Sequence, residues 1–198
     1  MMRISDILKR CPIVRVIGRE DREVESLVFD SRKASENTVF FAIKGTRNDG
    51  HDFIDSVVRQ GCKLIVCDRL PENIYEDVTY YIVENTARTL GYAASEFYSN
   101  PSEKLRVVGV TGTNGKTTIV TLLYRLFYNA GYPSGLLSTI ENRINNNVIP
   151  STHTTADQIE LNRLLSEMVD AGCEYVFMEV SSHAVDQERI AGIHFTGA

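Results

Sequence analysis

The stretch Gly109-Val-Thr-Gly-Thr-Asn-Gly-Lys-Thr-Thr118 lies between an apolar run, Leu105–Val110, and a helical pattern, Val120–Ala130. A strand, a glycine-rich loop and a helix in this order are the setting of a phosphate-binding loop. Backbone N–H groups of the loop and of the helix start carry partial positive charge, which attracts phosphate oxygens. Gly112 and Gly115 have no Cβ, so the backbone can approach a phosphate closely. The stretch therefore predicts a nucleotide site on an α/β unit.

Two side chains of this loop have expected tasks. Lys116 is predicted to reach the β- and γ-phosphates, and the Thr117 hydroxyl to bind Mg²⁺. The strict pattern G-x-x-x-x-G-K-[ST] requires glycine at position 110, where this chain has valine, so the loop is a variant. The alternative interpretation is a glycine turn before an ordinary helix, with Lys116 in solvent, and the flanking pattern disfavours it.

Length and composition indicate a soluble globular protein of one large or two small domains. The chain has 198 residues, of which 43% are hydrophobic and 24% charged, and its net charge is −5. These values are typical of globular domains, and the negative charge disfavours nucleic-acid and membrane-surface partners. No apolar stretch of the sequence reaches the roughly 18–20 residues of a membrane span. The cysteines have no C-x-x-C spacing, so we expect reduced thiols, a cytoplasmic location and no zinc site.

Strand and helix signals alternate through the first half. The N-terminal residues Met1–Cys11 predict a short amphipathic helix, with Ile4, Ile7 and Leu8 on one face, rather than a signal peptide. Strands are predicted at Ser26–Asp30, Thr38–Lys44, Leu64–Cys67 and Thr79–Val83, and helices at Asp52–Gln60 and Thr86–Tyr98. The polar, proline-containing segment Ser99–Lys104 predicts a domain boundary, so we assign a first domain to residues 1–99.

The second half, assigned as a domain over residues 105–198, has the same character. Strands are predicted at Gly135–Ile140 and Tyr175–Met178, with a hairpin or loop at Asn142–Asn147. Thr155 and Gln158 match a capping box that opens a helix, and its apolar face carries Leu161, Leu164, Leu165, Met168 and Val169. The alternation predicts two parallel-sheet α/β domains. Because Ile193–Thr196 resembles the beginning of another strand, we expect the chain to be a fragment cut inside its second domain.

Polar residues near strand and helix ends are candidates for chemistry. Glu179 follows an apolar strand of the phosphate-loop unit, where a carboxylate can bind the Mg²⁺ of a nucleotide; the alternative is a solvated strand end. His183, four residues further on, is either a metal ligand or a hydrogen-bonded turn histidine. Arg189 either pairs with a phosphate or carboxylate or is a surface charge. His51 and His194 have no evident partners and receive no role.

A threonine cluster just before a helix leaves two interpretations open. Thr152, Thr154 and Thr155 could present a phosphate or a carboxylate to the helix N-terminus. Plain helix capping explains Thr155 equally well, and on the residues alone capping is favoured.

Several segments, in matching order along nearly the whole chain, resemble the Mur ligase family, which also includes folylpolyglutamate synthetase-like enzymes. The loop Thr111–Thr118 resembles the ATP loop of these enzymes. Similarity to the uridine-nucleotide domain of the branch adding the third and later peptide residues comes from Asp30-Ser-Arg32, Val39-Phe-Phe-Ala42, Gly45 and Asp49-Gly-His-Asp-Phe-Ile54. Similarity to the ligases that add the third residue comes from Thr152-His-Thr-Thr155, Met178-Glu-Val-Ser-Ser-His-Ala184, Gln187 and Arg189.

The resemblance implies an ATP-dependent amide ligase of peptidoglycan precursor synthesis. The implied fold is α/β: a small parallel or mixed-sheet uridine-nucleotide domain, then a truncated P-loop, Rossmann-like central domain. A carboxylate of UDP-N-acetylmuramoyl-L-Ala-D-Glu would attack the γ-phosphate of ATP to give an acyl phosphate, which the amine of a diamino acid then displaces. Meso-diaminopimelate and L-lysine are both candidate amines, with diaminopimelate as the default. ATP and Mg²⁺ are the implied cofactors, and we expect a monomer.

The resemblance also implies roles for individual residues. Gly112, Thr113, Asn114, Gly115, Lys116, Thr117 and Thr118 would hold ATP. Lys116, Glu179 and His183 would be catalytic, with Thr117, Glu179 and His183 serving magnesium. The UDP-muramoyl-peptide would contact Ser31, Thr154, Thr155, Ser181, Gln187 and Arg189, which resolves the threonine cluster in favour of function.

This sequence differs from the family pattern at one position, and two further parts of that pattern are expected beyond its last residue. Ala156 stands where the family often has proline after the two threonines, which affects only the rigidity of the helix start. The carbamylated lysine and the third domain of the family would follow Ala198, so we expect this chain alone to be inactive. A non-catalytic module binding UDP-sugar or nucleotide, and a sibling ligase adding the terminal dipeptide, are the alternative hypotheses.

Overall fold

Each of two compact units, Met1–Phe97 and Tyr98–Ala198, is built on a mixed β-sheet. The computed structural model describes residues 1–18, 21–45, 48–149 and 156–198. Within these ranges both main sheets have five strands, and helices and strands alternate along the chain. The α/β fold class predicted from the sequence is confirmed.

The main sheet of the first unit is parallel over most of its width. The strands are β1 (Met2–Arg3), β2 (Ile13–Ile17), β3 (Glu23–Val24), β4 (Ser26–Val28), β5 (Thr38–Phe41), β6 (Leu64–Cys67) and β7 (Thr79–Val83), and the helices are α1 (Ile4–Ile7), α2 (Ile54–Arg59) and α3 (Thr86–Phe97). The sheet order is β2-β7-β6-β5-β4, in which β4 to β7 are parallel and β2 is antiparallel to β7. The carboxyl ends of β4 to β7 therefore meet at one edge, the edge at which α/β sheets bind ligands.

The N-terminal segment is less helical than predicted. Ile4, Ile7 and Leu8 are buried as expected, but helix α1 is a single turn. Residues Met2–Arg3 pair antiparallel with β3 instead of joining the helix. This strand partner lies about twenty residues away in sequence, so local periodicity alone could not predict it.

The second unit carries the phosphate loop on the parallel part of its sheet. Its strands are β8 (Arg106–Val110), β9 (Ser134–Leu137), β10 (Asn142–Ile144), β11 (Asn147–Ile149) and β12 (Tyr175–Glu179), and its helices are α4 (Lys116–Asn129), α5 (Gln158–Asp170) and α6 (Ser182–Asp186). The order is β11-β10-β9-β12-β8, with β9, β12 and β8 parallel. The polar asparagine segment forms the β10–β11 hairpin, and Asn145 in its turn has a φ of 49°.

Helix α5 begins later than the sequence predicted. Its N-cap is Asp157, whose Oδ1 accepts the Glu160 N–H at 2.9 Å, so the predicted capping box of Thr155 and Gln158 is wrong. Thr155 itself lies outside the described residues. A carboxylate caps the helix and also interacts favourably with the helix dipole, which explains why the aspartate takes the cap position. The predicted apolar face is confirmed: Leu161, Leu164, Leu165 and Met168 are buried, and Val169 is half-buried.

The segments near the beginning and the end of the second unit also differ from expectation. Residues Pro101–Lys104 form a 3-10 helix of the second unit, and Ser102 Oγ accepts the His194 N–H at 3.0 Å. Residues Ile193–Thr196 form no strand, although Thr196 N–H donates to Val107 O and Gly109 N–H to Gly197 O. Pairing with the free edge of β8 thus begins at Gly197, one residue beyond the predicted segment. Among the described residues, we find no helix with the length and apolar character needed to cross a membrane.

Candidate functional site

The phosphate loop connects β8 to α4 and leaves open space beside its glycines. Gly112 has a φ of 145° and Gly115 a φ of 80°, in the range that favours glycine. Among the atoms of residues 1–18, 21–45, 48–149 and 156–198, a Cβ at Gly115 would meet none within 4 Å, and one at Gly112 would meet only Asn114 O at 3.8 Å. No atom of the described residues therefore fills the space beside either glycine, and residues 111–115 are exposed. A phosphate group can approach the backbone there.

Lys116 and Thr117 begin helix α4 directly after the loop. Lys116 Nζ donates to Gly112 O at 2.7 Å, so the side chain folds back across the loop that it follows. Lys116 and Thr117 are half-buried, whereas Thr118 is exposed. The N–H groups of the first turn of a helix have no partner within the helix, so the start of α4 adds partial positive charge. The loop thus combines an ammonium, a hydroxyl and a helix N-terminus, which suits a nucleotide phosphate.

Glu179 is the last residue of β12 and lies opposite Val110, the last residue of β8. It is 8% exposed, and its carboxylate accepts the Thr139 N–H at 3.4 Å and the Thr139 hydroxyl at 3.5 Å. A buried carboxylate with two long hydrogen bonds keeps acceptor capacity for a cation. Carboxylate and hydroxyl oxygens are the ligands that Mg²⁺ prefers, so Glu179 and Thr117 fit this ion chemically.

His183, the other predicted metal ligand, lies on the exposed surface of α6. Within the described residues, no group of three or more His, Cys, Asp or Glu side chains is arranged to hold a metal ion. A metal at this position would therefore depend on Thr117, Glu179 and phosphate oxygens for part of its coordination.

Three predicted substrate-binding residues surround the short helix α6. Ser181 is its N-cap, and the Ser181 Oγ accepts the Ala184 N–H at 3.1 Å. Gln187 Oε1 accepts from Arg189 Nε at 2.9 Å and from Arg189 Nη2 at 2.6 Å. The pair is thus already joined, and the guanidinium has a defined orientation. Thr154 and Thr155, which were predicted to bind the same substrate, lie outside the described residues, as does Thr152.

Ser31 begins a 3-10 helix at the carboxyl end of β4, in the first unit. Asp30 accepts the Arg32 N–H at 3.0 Å and forms an ion pair with the Arg32 guanidinium. Hydrogen bonding to the Arg32 side chain, followed by its backbone N–H, lowers the pKa of Asp30 to about 2. This pair holds the turn in which the half-buried Ser31 lies.

His51, for which the sequence alone suggests no partner, has defined partners in the structure. Its ring Nδ1 lies 2.6 Å from Asp49 Oδ1, and its Nε2 lies 3.1 Å from Asp68 Oδ1. Arg69 Nη2 also donates to Asp49, at 2.7 Å. The Asp-x-His spacing was the only local signal for this cluster, because Asp68 and Arg69 come from another strand end. Thr139, the partner of Glu179, was also missed, since it lies 40 residues away in sequence.

A glycine-rich phosphate loop on a parallel sheet defines this chain as a P-loop α/β protein. The family model described as "Mur ligase family, catalytic domain" matches residues 23–98, and that of the "Mur ligase middle domain" matches residues 110–198. The chain therefore belongs to the Mur ligase family.

Curated relatives match nearly the whole chain. The UDP-N-acetylmuramoyl-L-alanyl-D-glutamate--2,6-diaminopimelate ligase of Cytophaga hutchinsonii is 52% identical over 99% of this chain. The ligases of the same name from Phocaeicola vulgatus and Bacteroides fragilis are 47% and 48% identical over the same share. The chain spans about 40% of the length of each of these relatives.

Solved structures share the fold at lower identity. A structure of a UDP-N-acetylmuramoyl-L-alanyl-D-glutamate--2,6-diaminopimelate ligase matches with a TM-score of 0.76 and 21% identity, over 96% of this chain and 38% of that one. A MurF structure from Acinetobacter baumannii matches with a TM-score of 0.53 and 24% identity, over 82% of this chain and 32% of that one. At these identities the matches establish the fold alone.

Proposed function

We propose that this chain forms the nucleotide-binding part of an ATP-dependent amide ligase that adds a diamino acid to UDP-N-acetylmuramoyl-L-Ala-D-Glu. The observation that carries the proposal is the open phosphate loop, with Gly112 and Gly115 in left-handed conformations and Lys116 folded over the loop. The names of the relatives give the acceptor and 2,6-diaminopimelate as their substrates, and we propose meso-diaminopimelate for this chain.

Residues 112–118 would bind the phosphates of ATP. The substrate carboxylate would attack the γ-phosphorus, so that a carboxyl C–O–P bond forms, the bond to the bridging oxygen breaks and ADP leaves. The incoming amine would then attack the acyl carbon, expel inorganic phosphate and lose a proton. Lys116 would neutralise charge that accumulates on the transferred phosphoryl group, and the N-terminus of α4 would do the same for the β-phosphate.

Thr117, Glu179 and His183 are the residues that we propose for magnesium. Bound Mg²⁺ would supply charge neutralisation and orientation of the phosphates. Buried Glu179 lies level with the start of the phosphate loop across the sheet, which supports its role. The proposed role of His183 rests on the family motif and on its position on α6, four residues beyond Glu179.

Ser31, Thr154, Thr155, Ser181, Gln187 and Arg189 are the proposed contacts of the UDP-muramoyl-peptide. We propose residues 1–99 as the uridine-nucleotide domain and residues 105–198 as the ATP domain.

The cysteines Cys11, Cys62, Cys67 and Cys173 are free thiols. We infer a cytoplasmic location, where thiols stay reduced, and a monomer.

The experiment that tests the proposal is calorimetric titration of the chain with a non-hydrolysable ATP analogue, with and without Mg²⁺. Lys116→Ala is expected to weaken binding at least about tenfold under both conditions, because a charge-assisted hydrogen bond to phosphate is lost. Glu179→Gln is expected to weaken only the Mg²⁺-dependent part. Lys104→Ala, which removes an exposed lysine of the same unit, is the matched control and should bind as the parent chain does.

A second titration, with UDP-N-acetylmuramoyl-L-Ala-D-Glu, tests the acceptor. Saturable binding that both Ser31→Ala and Arg189→Ala weaken is the expected result. Absence of binding of either ligand to a chain with a cooperative unfolding transition would contradict the proposed function.

A further inference from the structure

His51 joins the turn that follows β5 to the end of β6, and neither the phosphate loop nor the proposed metal ligands involve it. It lies in the 3-10 helix Gly50–Phe53, and its side chain is 5% exposed. Its Nδ1 is 2.6 Å from Asp49 Oδ1, and its Nε2 is 3.1 Å from Asp68 Oδ1 and 3.3 Å from the Asp68 backbone N. A buried imidazole with both nitrogens bonded has a fixed ring orientation.

Arg69 makes a second connection between the same segments. Asp49 Oδ1 accepts the His51 backbone N–H at 3.0 Å, and Asp49 Oδ2 accepts from Arg69 Nη2 at 2.7 Å. Asp68 and Arg69 directly follow β6, whereas Asp49 and His51 follow β5. Two polar contacts therefore fasten the carboxyl ends of neighbouring parallel strands to each other.

The backbone of the turn is held from the side of β5 as well. Gly50 N–H donates to Ile43 O at 2.8 Å, and Lys44 and Asp49 form an antiparallel bridge. A Cβ at Gly50 would lie 2.6 Å from Ile43 N, so only glycine permits this approach. The contacts of His51 and Arg69 to β6 thus complete the placement of a turn whose other side is already fixed.

We propose that His51 is a positioning residue for the uridine-nucleotide site of the first unit, and that it acts through the contact between its Nε2 and Asp68. This inference rests on the proposed function, which assigns the nucleotide to the unit that contains Ser31. Ser31 follows β4, and β5 lies between β4 and β6 in the sheet. A shift of the turn after β5 would therefore change the shape of the sheet edge, formed by the carboxyl ends of β4 to β6, at which the nucleotide is proposed to bind.

Two amide substitutions separate this role from a contribution to stability alone. In His51→Asn the amide takes the position of Nδ1 and keeps the contact to Asp49. In His51→Gln the longer amide reaches the position of Nε2 and keeps the contact to Asp68. Both variants remove the imidazole ring, so we expect both to lose unfolding stability. Asp68→Ala removes the carboxylate that His51 Nε2 contacts, on a side chain that is 35% exposed, and it leaves the backbone N–H of residue 68 in place. It replaces His51→Asn if that variant does not fold.

The probe is uridine 5′-diphosphate, titrated into the whole chain by calorimetry. We expect His51→Asn and Asp68→Ala to weaken binding about tenfold, the effect of losing one hydrogen bond to a charged group, and His51→Gln to stay within about threefold of the parent chain. Amide hydrogen exchange of residues 48–53 should become faster in His51→Asn but not in His51→Gln. Equal affinities of the Asn and Gln variants, with the parent chain binding normally, would overturn the positioning role alone. A folded parent chain that does not bind the probe would refute the nucleotide site itself, and this inference with it.

Discussion

Substituting alanine at Gly115 and at Gly131, one at a time, separates the backbone strain of a loop glycine from its role in binding phosphate. The two glycines flank α4 and have left-handed φ values of 80° and 91°, and a Cβ at either would meet no heavy atom of the described part of the chain within 4 Å. An alanine at such a position costs about 1–2 kcal/mol of strain. Its smaller conformational freedom in the unfolded chain offsets about 0.4–1 kcal/mol of that cost. We therefore expect each variant to lose about 1 kcal/mol of unfolding free energy, measured by urea denaturation.

Nucleotide binding is expected to distinguish the two variants. Helix α4 has 14 residues and is about 21 Å long, and the two glycines lie beyond its opposite ends. The added Cβ of Gly115→Ala would intrude where a phosphate approaches the loop, whereas that of Gly131→Ala lies at the far end of the helix. Calorimetric titration with the Mg²⁺ complex of a non-hydrolysable ATP analogue should show a loss of at least about tenfold for Gly115→Ala, equivalent to about 1.4 kcal/mol, and parent affinity for Gly131→Ala. Equal nucleotide affinities at equal stability would refute the assignment of this loop to phosphate binding.

Three further predictions concern stability. Asp157→Ala removes the cap of α5 and is expected to lower the unfolding free energy by about 1 kcal/mol in urea denaturation, with Asp157→Asn as the control that keeps it. Glu188→Gly relieves a φ of 55° after α6 and is expected to raise that free energy by about 0.5–1 kcal/mol; a decrease would contradict the strain argument. Burial tends to raise the pKa of Asp49, but hydrogen bonds from His51 and Arg69 outweigh burial and lower it to about 2. The carboxylate of Asp49 is thus expected to stabilise the fold above about pH 4 and to lose this contribution as the pH falls towards 2, so urea midpoints of Asp49→Asn should depend less on pH in that window.

Elements whose signal is local could be predicted from the sequence. The strands at Leu64–Cys67 and Thr79–Val83 have the predicted limits, because short apolar runs between polar segments fill buried positions of a parallel sheet. The phosphate loop could be identified because its glycines, its lysine and the following helix are contiguous in sequence. The strand at Met2–Arg3 could not, since its partner Glu23–Val24 is distant in sequence and two residues show no periodicity.

The contacts of side chains whose partners are distant in sequence could not be predicted either. The sequence placed His51 in a motif but offered no partner, because Asp68 and Arg69 reach it only through the parallel pairing of β5 and β6. The N-cap of helix α5 was predicted wrongly for a different reason: Thr155 and Asp157 are both good cap residues, and local rules alone do not choose between them.

The turn after α6 indicates why local strain and proposed function coincide. Glu188 occupies the left-handed position that usually holds glycine after a helix, and the Arg189 N–H returns to Ala184 O at 2.8 Å. A glycine would satisfy this backbone at lower cost, so the conformation itself does not require a glutamate. The left-handed conformation of Glu188 does bring Gln187 and Arg189 together, and the side-chain Oε1 of Gln187 accepts two hydrogen bonds from the guanidinium. Since an arginine held in this way loses less conformational freedom when it pairs with an anion, the turn supports the proposed role of Arg189 more strongly than its presence in a motif does.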